Sequence, residues 1–216
     1  MKKYIIIGLC LLFLSWLCAT AQEALTPDQA LAKLKEGNKR FVEGKPLKPR
    51  QDVNRIKEVA ATQNPFAIII GCSDSRVPNE IIFDQGLGDL FIVRTAGQVS
   101  TYASWGSIEF AEEFLGSKLI VVLGHTKCGA VNAAVTLPNV PGHIVTLINA
   151  IKPAVEKARA NHPKDLLQEA IYENVKMQVQ QLKSLEPVLS KKVADGSIKI
   201  VGAVYELSTG SVEFID

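Results

Sequence analysis

Three uninterrupted apolar segments dominate the middle of this sequence, at residues 66–70, 90–93 and 119–123. None of them alternates apolar with polar residues, so each predicts a strand that is buried on both faces, as in a parallel sheet. A fourth strand is predicted at residues 199–205. A Ser-Thr-Gly turn then leads to a last strand at residues 211–215, which we expect to be antiparallel and at an edge of the sheet.

Helical patterns separate these strands. The sequence Thr26-Pro27-Asp28-Gln29 is typical of a helix start, with Thr as the cap and Pro at the first position, and this helix should extend to about residue 42. Further helical patterns cover residues 53–61, 104–115, 128–135, 144–160 and 166–185. The alternation predicts an α/β fold, with a mostly parallel central sheet of about four strands plus an antiparallel edge strand, flanked by helices.

The charge balance limits the class of partner. The 216 residues include 24 Lys and Arg against 22 Asp and Glu, which gives a net charge of +2. Binding to nucleic acid needs a clustered basic excess. We therefore expect no nucleic-acid partner.

The amino terminus has the features of a signal peptide. Lys2 and Lys3 precede an apolar run over residues 4–18, and residues 19–21 supply the small-x-small pattern of a cleavage site. The apolar run is short for a membrane span and no stop-transfer pattern follows it. We expect residues 1–21 to be removed and the protein to be exported, with the periplasm as the expected compartment and no membrane association after cleavage.

Cleavage would leave residues 22–216, which we interpret as one domain that begins with a helical arm. It would remove the two lysines, so that the mature chain has equal numbers of basic and acidic residues. It would also remove Cys10 and Cys18, leaving Cys72 and Cys128. In an oxidising compartment those two cysteines could form one disulfide.

Two of the predicted strands end in the same way. Gly71 leads into Cys72, and Gly124 leads into His125 with Cys128 three residues later. Ligands of open α/β sheets bind beyond the carboxyl ends of the strands, so these side chains should meet at one edge. Two thiolates and one imidazole suit a single Zn²⁺ per subunit, with a fourth position left for water or a carboxylate. The sequence therefore predicts an open, catalytic type of zinc site.

Two other interpretations of these residues stay open at this point. A disulfide would explain Cys72 and Cys128 but not His125. Alternatively, Cys72 could be a nucleophile with His125 as its base. That second interpretation leaves Cys128 without a role beside the pair.

Asp74 and Arg76 are two residues apart in the segment after Cys72, so an ion pair between them is geometrically easy. It could be a simple salt bridge in a loop. Beside zinc, a free Asp74 carboxylate could instead become the fourth ligand and block the open position. Paired with Arg76, the carboxylate would be drawn off the metal and could accept a hydrogen bond from zinc-bound water. We expect this Asp–Arg pair to orient the reacting hydroxide or to gate the metal site.

With these motifs in view, the sequence resembles the β-class carbonic anhydrases, in an exported bacterial form. The segments that carry the resemblance are Cys72-Ser73-Asp74-Ser75-Arg76-Val77, His125-x-x-Cys128-Gly129, residues 83–94 and Gly106-Ser107-Ile108-Glu109. The resemblance implies zinc bound by Cys72, His125 and Cys128, with Asp74 either a fourth ligand or paired with Arg76. It also implies reversible hydration of carbon dioxide to bicarbonate and a proton. A homodimer or dimer-built tetramer is implied as well, with the amino-terminal helix reaching over its partner.

The sequence departs from two variants of that family. The plant-like form has a pocket Gln in a Phe-Gln-Pro-Gly segment, whereas Gln85 is displaced here and receives no role. A form with an inhibitory bicarbonate pocket has Trp three residues before the first Cys, where this chain has Ile69. We therefore expect that regulatory pocket to be missing.

Two other functions are compatible with the same motifs. One keeps the fold and hydrolyses carbon disulfide or carbonyl sulfide. The other is a non-catalytic module that binds zinc or an anion. Metal bound without turnover would distinguish that module from an enzyme.

Other residues have weaker assignments. Val77, Phe83 and Tyr102 could line an apolar wall for carbon dioxide, although ordinary core positions are the simpler interpretation. His143 follows Pro-Gly in a predicted loop and could carry protons, although a solvated surface histidine is again simpler. His162 is interpreted as a surface residue.

Overall fold

A five-stranded sheet forms the centre of the computed structural model, which describes residues 25–215; the predicted signal peptide at residues 1–21 lies outside them. The strands are β1 (Ala67–Cys72), β2 (Leu90–Thr95), β3 (Leu119–His125), β4 (Lys199–Tyr205) and β5 (Val212–Ile215). Their order across the sheet is β2-β1-β3-β4-β5. The first four are parallel, and β5 runs antiparallel to β4 at one edge. The predicted fold class is confirmed.

Burial along the strands follows their position in the sheet. Every residue of β1 and β3 is buried, and successive β1 residues such as Ile68 and Ile69 belong to separate apolar clusters on opposite faces. Here the prediction of strands covered on both sides is confirmed. For β2 it is wrong, because this strand is half-buried. β2 lies at the edge of the sheet, where β1 is its single neighbour within residues 25–215.

Eight α-helices surround the sheet within the described residues. They are α1 (Pro27–Val42), α2 (Val53–Val59), α3 (Asn79–Ile82), α4 (Tyr102–Glu113), α5 (Gly129–Thr136), α6 (Ile144–Ala160), α7 (Leu166–Lys183) and α8 (Leu189–Ala194). The sequence patterns did not reveal α3 and α8, because helices of four and six residues are too short for a 3.6-residue period to appear. None of the helices in this part of the chain has the length and apolar character to cross a membrane.

Helix α1 begins with the capping box that the sequence predicts. The Thr26 side chain accepts from the backbone of Gln29, and the Gln29 side chain accepts from the backbone of Thr26. One face of the helix buries Leu34 in the core of its own chain. Buried Asn38 donates to the carbonyls of Ile82 and Gly210 and accepts from the backbone of β5. The helix is thereby attached to both α3 and the β4–β5 turn.

The strand register brings the ends of β1 and β3 to one edge of the sheet. Gly71 of β1 lies opposite Leu123 of β3, and His125 lies opposite Tyr205 of β4. Both glycines before the predicted ligands are closely packed. A Cβ on Gly71 would lie 2.8 Å from Nδ2 of the Asn79 side chain, and a Cβ on Gly124 would lie 2.5 Å from a methyl group of Val175. Glycine is required at each strand end because helices pack directly on the backbone there.

Candidate metal centre

Cys72, His125 and Cys128 meet at this edge of the sheet. Cys72 ends β1, His125 ends β3, and Cys128 is the residue that precedes α5. Their ligand atoms all lie within 4.8 Å of one another, and the three residues are buried. Both cysteines are free thiols, so the disulfide interpretation is wrong. The donor set of two sulfurs and one imidazole nitrogen is the one that the sequence predicts.

The His125 ring is oriented by its own backbone. Its Nδ1 lies 2.9 Å from the carbonyl oxygen of Thr126. A carbonyl can only accept, so the proton must be on Nδ1 and the Nε2 lone pair is free. Nε2 is fully buried and has no hydrogen-bond partner among the described residues. A buried acceptor without a partner, beside two thiols, fits a Zn²⁺ ligand set.

Polar contacts beyond the ligands hold the Thr126 carbonyl in place. The Thr126 amide donates to the Tyr205 carbonyl at 3.0 Å. The Thr126 hydroxyl donates to Glu206 at 3.2 Å and accepts from the Leu207 amide at 3.1 Å. The end of β3 is thus tied to the end of β4. Sequence reasoning missed Glu206, which is 80 residues from its partner.

The thiols of Cys72 and Cys128 share a hydrogen bond that moves their pKa values in opposite directions. That bond lowers the pKa of Cys72; burial opposes the effect, and the backbone amides of Gly97 and Asp74, which donate to the same sulfur, reinforce it. The same bond, together with burial and the charge of Cys72, raises the pKa of Cys128. Cys72 is therefore the first thiolate of the pair. The proton left on Cys128 is the one that a metal ion would displace.

Asp74 and Arg76 form a bidentate ion pair at the mouth of the site. Arg76 Nε donates to Asp74 Oδ1 at 2.9 Å, and a terminal guanidinium nitrogen donates to Oδ2 at 2.8 Å. The Arg76 amide also donates to Oδ1. These bonds outweigh burial and hold the pKa of the Asp74 carboxyl well below its usual range. Asp74 Oδ2 lies 3.8 Å from His125 Nε2, so the charged carboxylate is beside the ligands while bound to arginine.

Arg94 is a further part of this site that sequence reasoning did not single out. Its guanidinium donates to the Cys72 carbonyl at 2.9 Å and to the Asp74 carbonyl at 2.7 Å. It lies on β2, opposite Gly71 of β1. The sequence feature that could have revealed Arg94 is its charge near the end of an otherwise apolar strand, at the edge of the sheet where the ligand candidates meet. Its effect is to fix the backbone between Cys72 and Asp74.

Comparison with known proteins agrees with this geometry. The carbonic anhydrase family model matches residues 67–212, which include all three ligand candidates. This chain belongs to the carbonic anhydrase family. Carbonic anhydrase 2 of Mycobacterium tuberculosis H37Rv is 45% identical over 193 residues, covering 85% of this chain and 90% of that protein.

Solved structures place the chain in the β class of carbonic anhydrases. The β-carbonic anhydrase of Coccomyxa has 27% identity and a TM-score of 0.69, and the match covers 85% of each chain. A tetrameric β-carbonic anhydrase of Sordaria macrospora has the same fold, with 24% identity and a TM-score of 0.68; the match covers 74% of this chain and 85% of that one. The predicted family and enzyme class are confirmed.

The remaining candidate residues of this carbonic anhydrase lie in different surroundings. Val77 and Phe83 are fully buried in the apolar cluster beneath α1. Tyr102 is 86% exposed, so its interpretation as core is wrong; it opens α4 and packs edge to face on Trp105. His143 and His162 are both exposed, as a surface interpretation predicts.

Proposed function

We propose that this carbonic anhydrase catalyses the reversible hydration of carbon dioxide to bicarbonate and a proton, with one Zn²⁺ per subunit held by Cys72, His125 and Cys128. One observation carries the metal assignment. The buried Nε2 of His125, for which the described part of the chain offers no hydrogen-bond partner, lies with two free thiols in a cluster whose ligand atoms are within 4.8 Å of one another. Family membership supports the reaction.

The metal and the protein would divide the chemistry between them. Bound zinc lowers the pKa of a coordinated water to about 7, which makes hydroxide available at neutral pH. The protein residues hold the ion, and the Thr126 carbonyl keeps the His125 tautomer that leaves Nε2 free. Three protein ligands leave one position open, as in other catalytic zinc sites.

Asp74 is proposed to orient the reacting water. Its carboxylate is charged at neutral pH and lies at the mouth of the site, where it can accept a hydrogen bond. Arg76 occupies both carboxylate oxygens and so disfavours coordination of Asp74 to the metal. We propose that this pairing keeps the fourth position available, and that Asp74 would close the site if it left Arg76.

Two separate histidine variants, one at the candidate ligand and one at an exposed control position, test the ligand assignment. His125→Ala should abolish both bound zinc and carbon dioxide hydration, because two thiolates alone hold the ion poorly. His143→Ala removes the same ring from an exposed position and should leave zinc content at the wild-type level. Zinc quantification and stopped-flow hydration assays on each preparation give the answer. Full zinc content in the His125 variant would contradict the assignment.

The assay also separates the alternative functions. Zinc-loaded protein with no hydration activity would favour a non-catalytic binding module. Turnover of carbon disulfide or carbonyl sulfide without hydration of carbon dioxide would change the substrate. No contact in the site favours either alternative over carbon dioxide.

We also propose that the protein forms a dimer or a dimer-built tetramer. Helix α2 has no buried residue, and its Val53 and Ile56 are more than half exposed. Phe114, at the end of α4, is 77% exposed and lines a surface depression with Gly88 and the residues that follow α2. This apolar region adjoins the open edge of β2. A second copy of the chain is the partner that we expect to cover it.

Export remains a proposal that rests on the amino-terminal sequence. The basic start, the apolar run and the small-x-small pattern favour cleavage after residue 21, which would release residues 22–216. Mass spectrometry of the protein recovered from a periplasmic fraction tests it. An intact amino terminus in the cytoplasmic fraction would contradict it.

A further inference from the structure

The segment Ala96–Gln98, which follows β2 as one turn of 3₁₀-helix, has an unusual backbone. Gly97 has φ +69° and Gln98 has φ +46°, so two consecutive residues are left-handed. Such a φ is sterically unfavourable for a residue other than glycine. A Cβ on Gly97 would lie 2.8 Å from the terminal methyl of Ile151, so the positive φ and the close packing together favour glycine here. The surroundings must therefore hold this segment in place.

The consequence of this backbone is a hydrogen bond to a ligand sulfur. The Gly97 amide donates to Cys72 Sγ at 3.3 Å. The Asp74 amide donates to the same sulfur at 3.4 Å, but it belongs to the loop that contains Cys72 itself. The Gly97 amide belongs to a separate segment. The direction of its N–H bond towards the sulfur therefore depends on the contacts that hold Gly97 in place.

Asn174 is the side chain that fixes Gly97. It lies on α7, is fully buried, and donates from Nδ2 to the Gly97 carbonyl at 3.0 Å. Its Oδ1 has no hydrogen-bond partner among the described residues. Burying a polar atom without a partner is destabilising, so an apolar side chain at this position would be more favourable if packing were its only role. The hydrogen bond from Asn174 Nδ2 holds the carbonyl of Gly97, while the amide of Gly97 donates to the Cys72 sulfur.

We propose that Asn174 is a positioning residue for the metal centre: it holds Gly97 so that the backbone amide donates to the Cys72 sulfur. This inference rests on the proposed metal assignment. A hydrogen bond to a thiolate withdraws electron density from the sulfur and weakens its donation to the metal. Asn174 thereby adjusts the thiolate and, through it, the Lewis acidity of the ion, without contacting either one.

Gln178 provides a matched control on the same helix. It is also buried, and its Oε1 accepts from the Ser100 amide at 3.2 Å and the Ser100 hydroxyl at 2.8 Å. It therefore supports the same loop as Asn174, but at a position that has no bond to Gly97 or to a ligand. Asn174→Leu and Gln178→Met each replace a buried amide by an apolar group of similar volume.

The experiment uses cobalt-substituted protein, in which the sulfur-to-cobalt charge-transfer band reports directly on the thiolates. Asn174→Leu should shift this band to lower energy, because a sulfur without its donor gives up charge more easily. Zinc affinity should nevertheless fall about 10–100-fold, because the Cys72 sulfur would lose the contact that holds it in position for the metal. Gln178→Met should lower the melting temperature but leave the band and the zinc affinity at wild-type values.

Each other outcome would overturn the inference. An unchanged band in Asn174→Leu contradicts it, as does an equal shift in Gln178→Met. If the Leu variant does not fold, Asn174→Ala makes the same comparison without added bulk. Failure of both Asn174 variants beside a folded Gln178→Met would make Asn174 a structural residue only. A wild-type protein that binds neither cobalt nor zinc would overturn the metal assignment itself.

Discussion

At the scale of single residues, the hydrogen bonds of the site determine which side chains are charged and where the His125 proton lies. Asp74 is charged and is paired with Arg76. The Nε2 lone pair of His125 is free because the proton is on Nδ1, which donates it in a hydrogen bond to the Thr126 carbonyl. The sulfur of Cys72 receives backbone donors from two segments. His125 and Cys72 are thus each prepared for a cation by a hydrogen bond to a neighbouring backbone group.

Asp74→Asn tests the role of the carboxylate. The amide keeps the shape of the side chain but loses the charge, and only one of its atoms can accept from Arg76. We expect about one zinc per subunit and a hydration rate about 10–100-fold lower than in the wild type. Stopped-flow hydration and zinc analysis of one sample check both. Asp195→Asn, which alters an exposed carboxylate, is the control.

The interpretation of Asp74 would be contradicted in either of two ways. A rate equal to that of the wild type would leave Asp74 without a part in turnover. Loss of zinc from the variant would instead make Asp74 a ligand.

Residues close together in the sequence were predictable, whereas distant contacts were not. Asp74 and Arg76 are two apart, and Cys128 follows His125 by three, so spacing alone indicated their pairing. Asn174 is 77 residues from Gly97, and Arg94 is 22 residues from Cys72. An asparagine in an amphipathic helix carries no sign of the carbonyl that it meets. Such contacts exist only once the strand register is set.

At the scale of elements, Asp84 anchors the loop after α1. This buried carboxylate accepts from Arg40 at 2.6 Å and from the backbone amides of Leu47 and Lys48. Burial raises the pKa of Asp84, but the Arg40 and backbone hydrogen bonds together outweigh it and bring the pKa below the ordinary value of 3.8. The folded state therefore favours the ionised form.

A pH dependence follows from Asp84. Because its pKa is lower in the folded state, its contribution to stability is present above the unfolded value of 3.8 and is lost as pH falls through the folded value. Asp84→Asn should lower the free energy of unfolding at about pH 7, and the difference from wild type should shrink at about pH 3. Urea titrations measure it, with Glu36→Gln as an exposed control. A difference that grows towards low pH would contradict the assignment.

The strands were more predictable than the short helices. Long apolar runs that end in Gly-Cys and Gly-His determined the positions of β1 and β3, and helix α6 matches its predicted bounds of residues 144–160. Half-burial of β2 could not be read from its residues, since Leu90–Thr95 is as apolar at its start as the central strands. Edge position depends on strand order, which a single segment does not encode.

At the scale of the whole molecule, assembly can be tested at the apolar region beside β2. Phe114→Asp places a charge at an aromatic residue that directly follows α4 and is 77% exposed. The variant should shift the protein towards monomer, because burying an unpaired carboxylate is costly. Multi-angle light scattering measures the mass. Lys191→Asp changes an exposed charge on α8 and should leave the mass at the wild-type value. A wild-type monomer at micromolar concentration would contradict the proposed dimer.

The central claim is that Cys72, His125 and Cys128 hold the zinc on which hydration depends. The most direct test removes zinc from the purified protein with a chelator, measures carbon dioxide hydration and zinc content on the same sample, and then adds zinc back. We predict about one zinc per subunit at the start, loss of activity in proportion to zinc removed, and recovery on re-addition. Full activity in zinc-free protein would contradict the account.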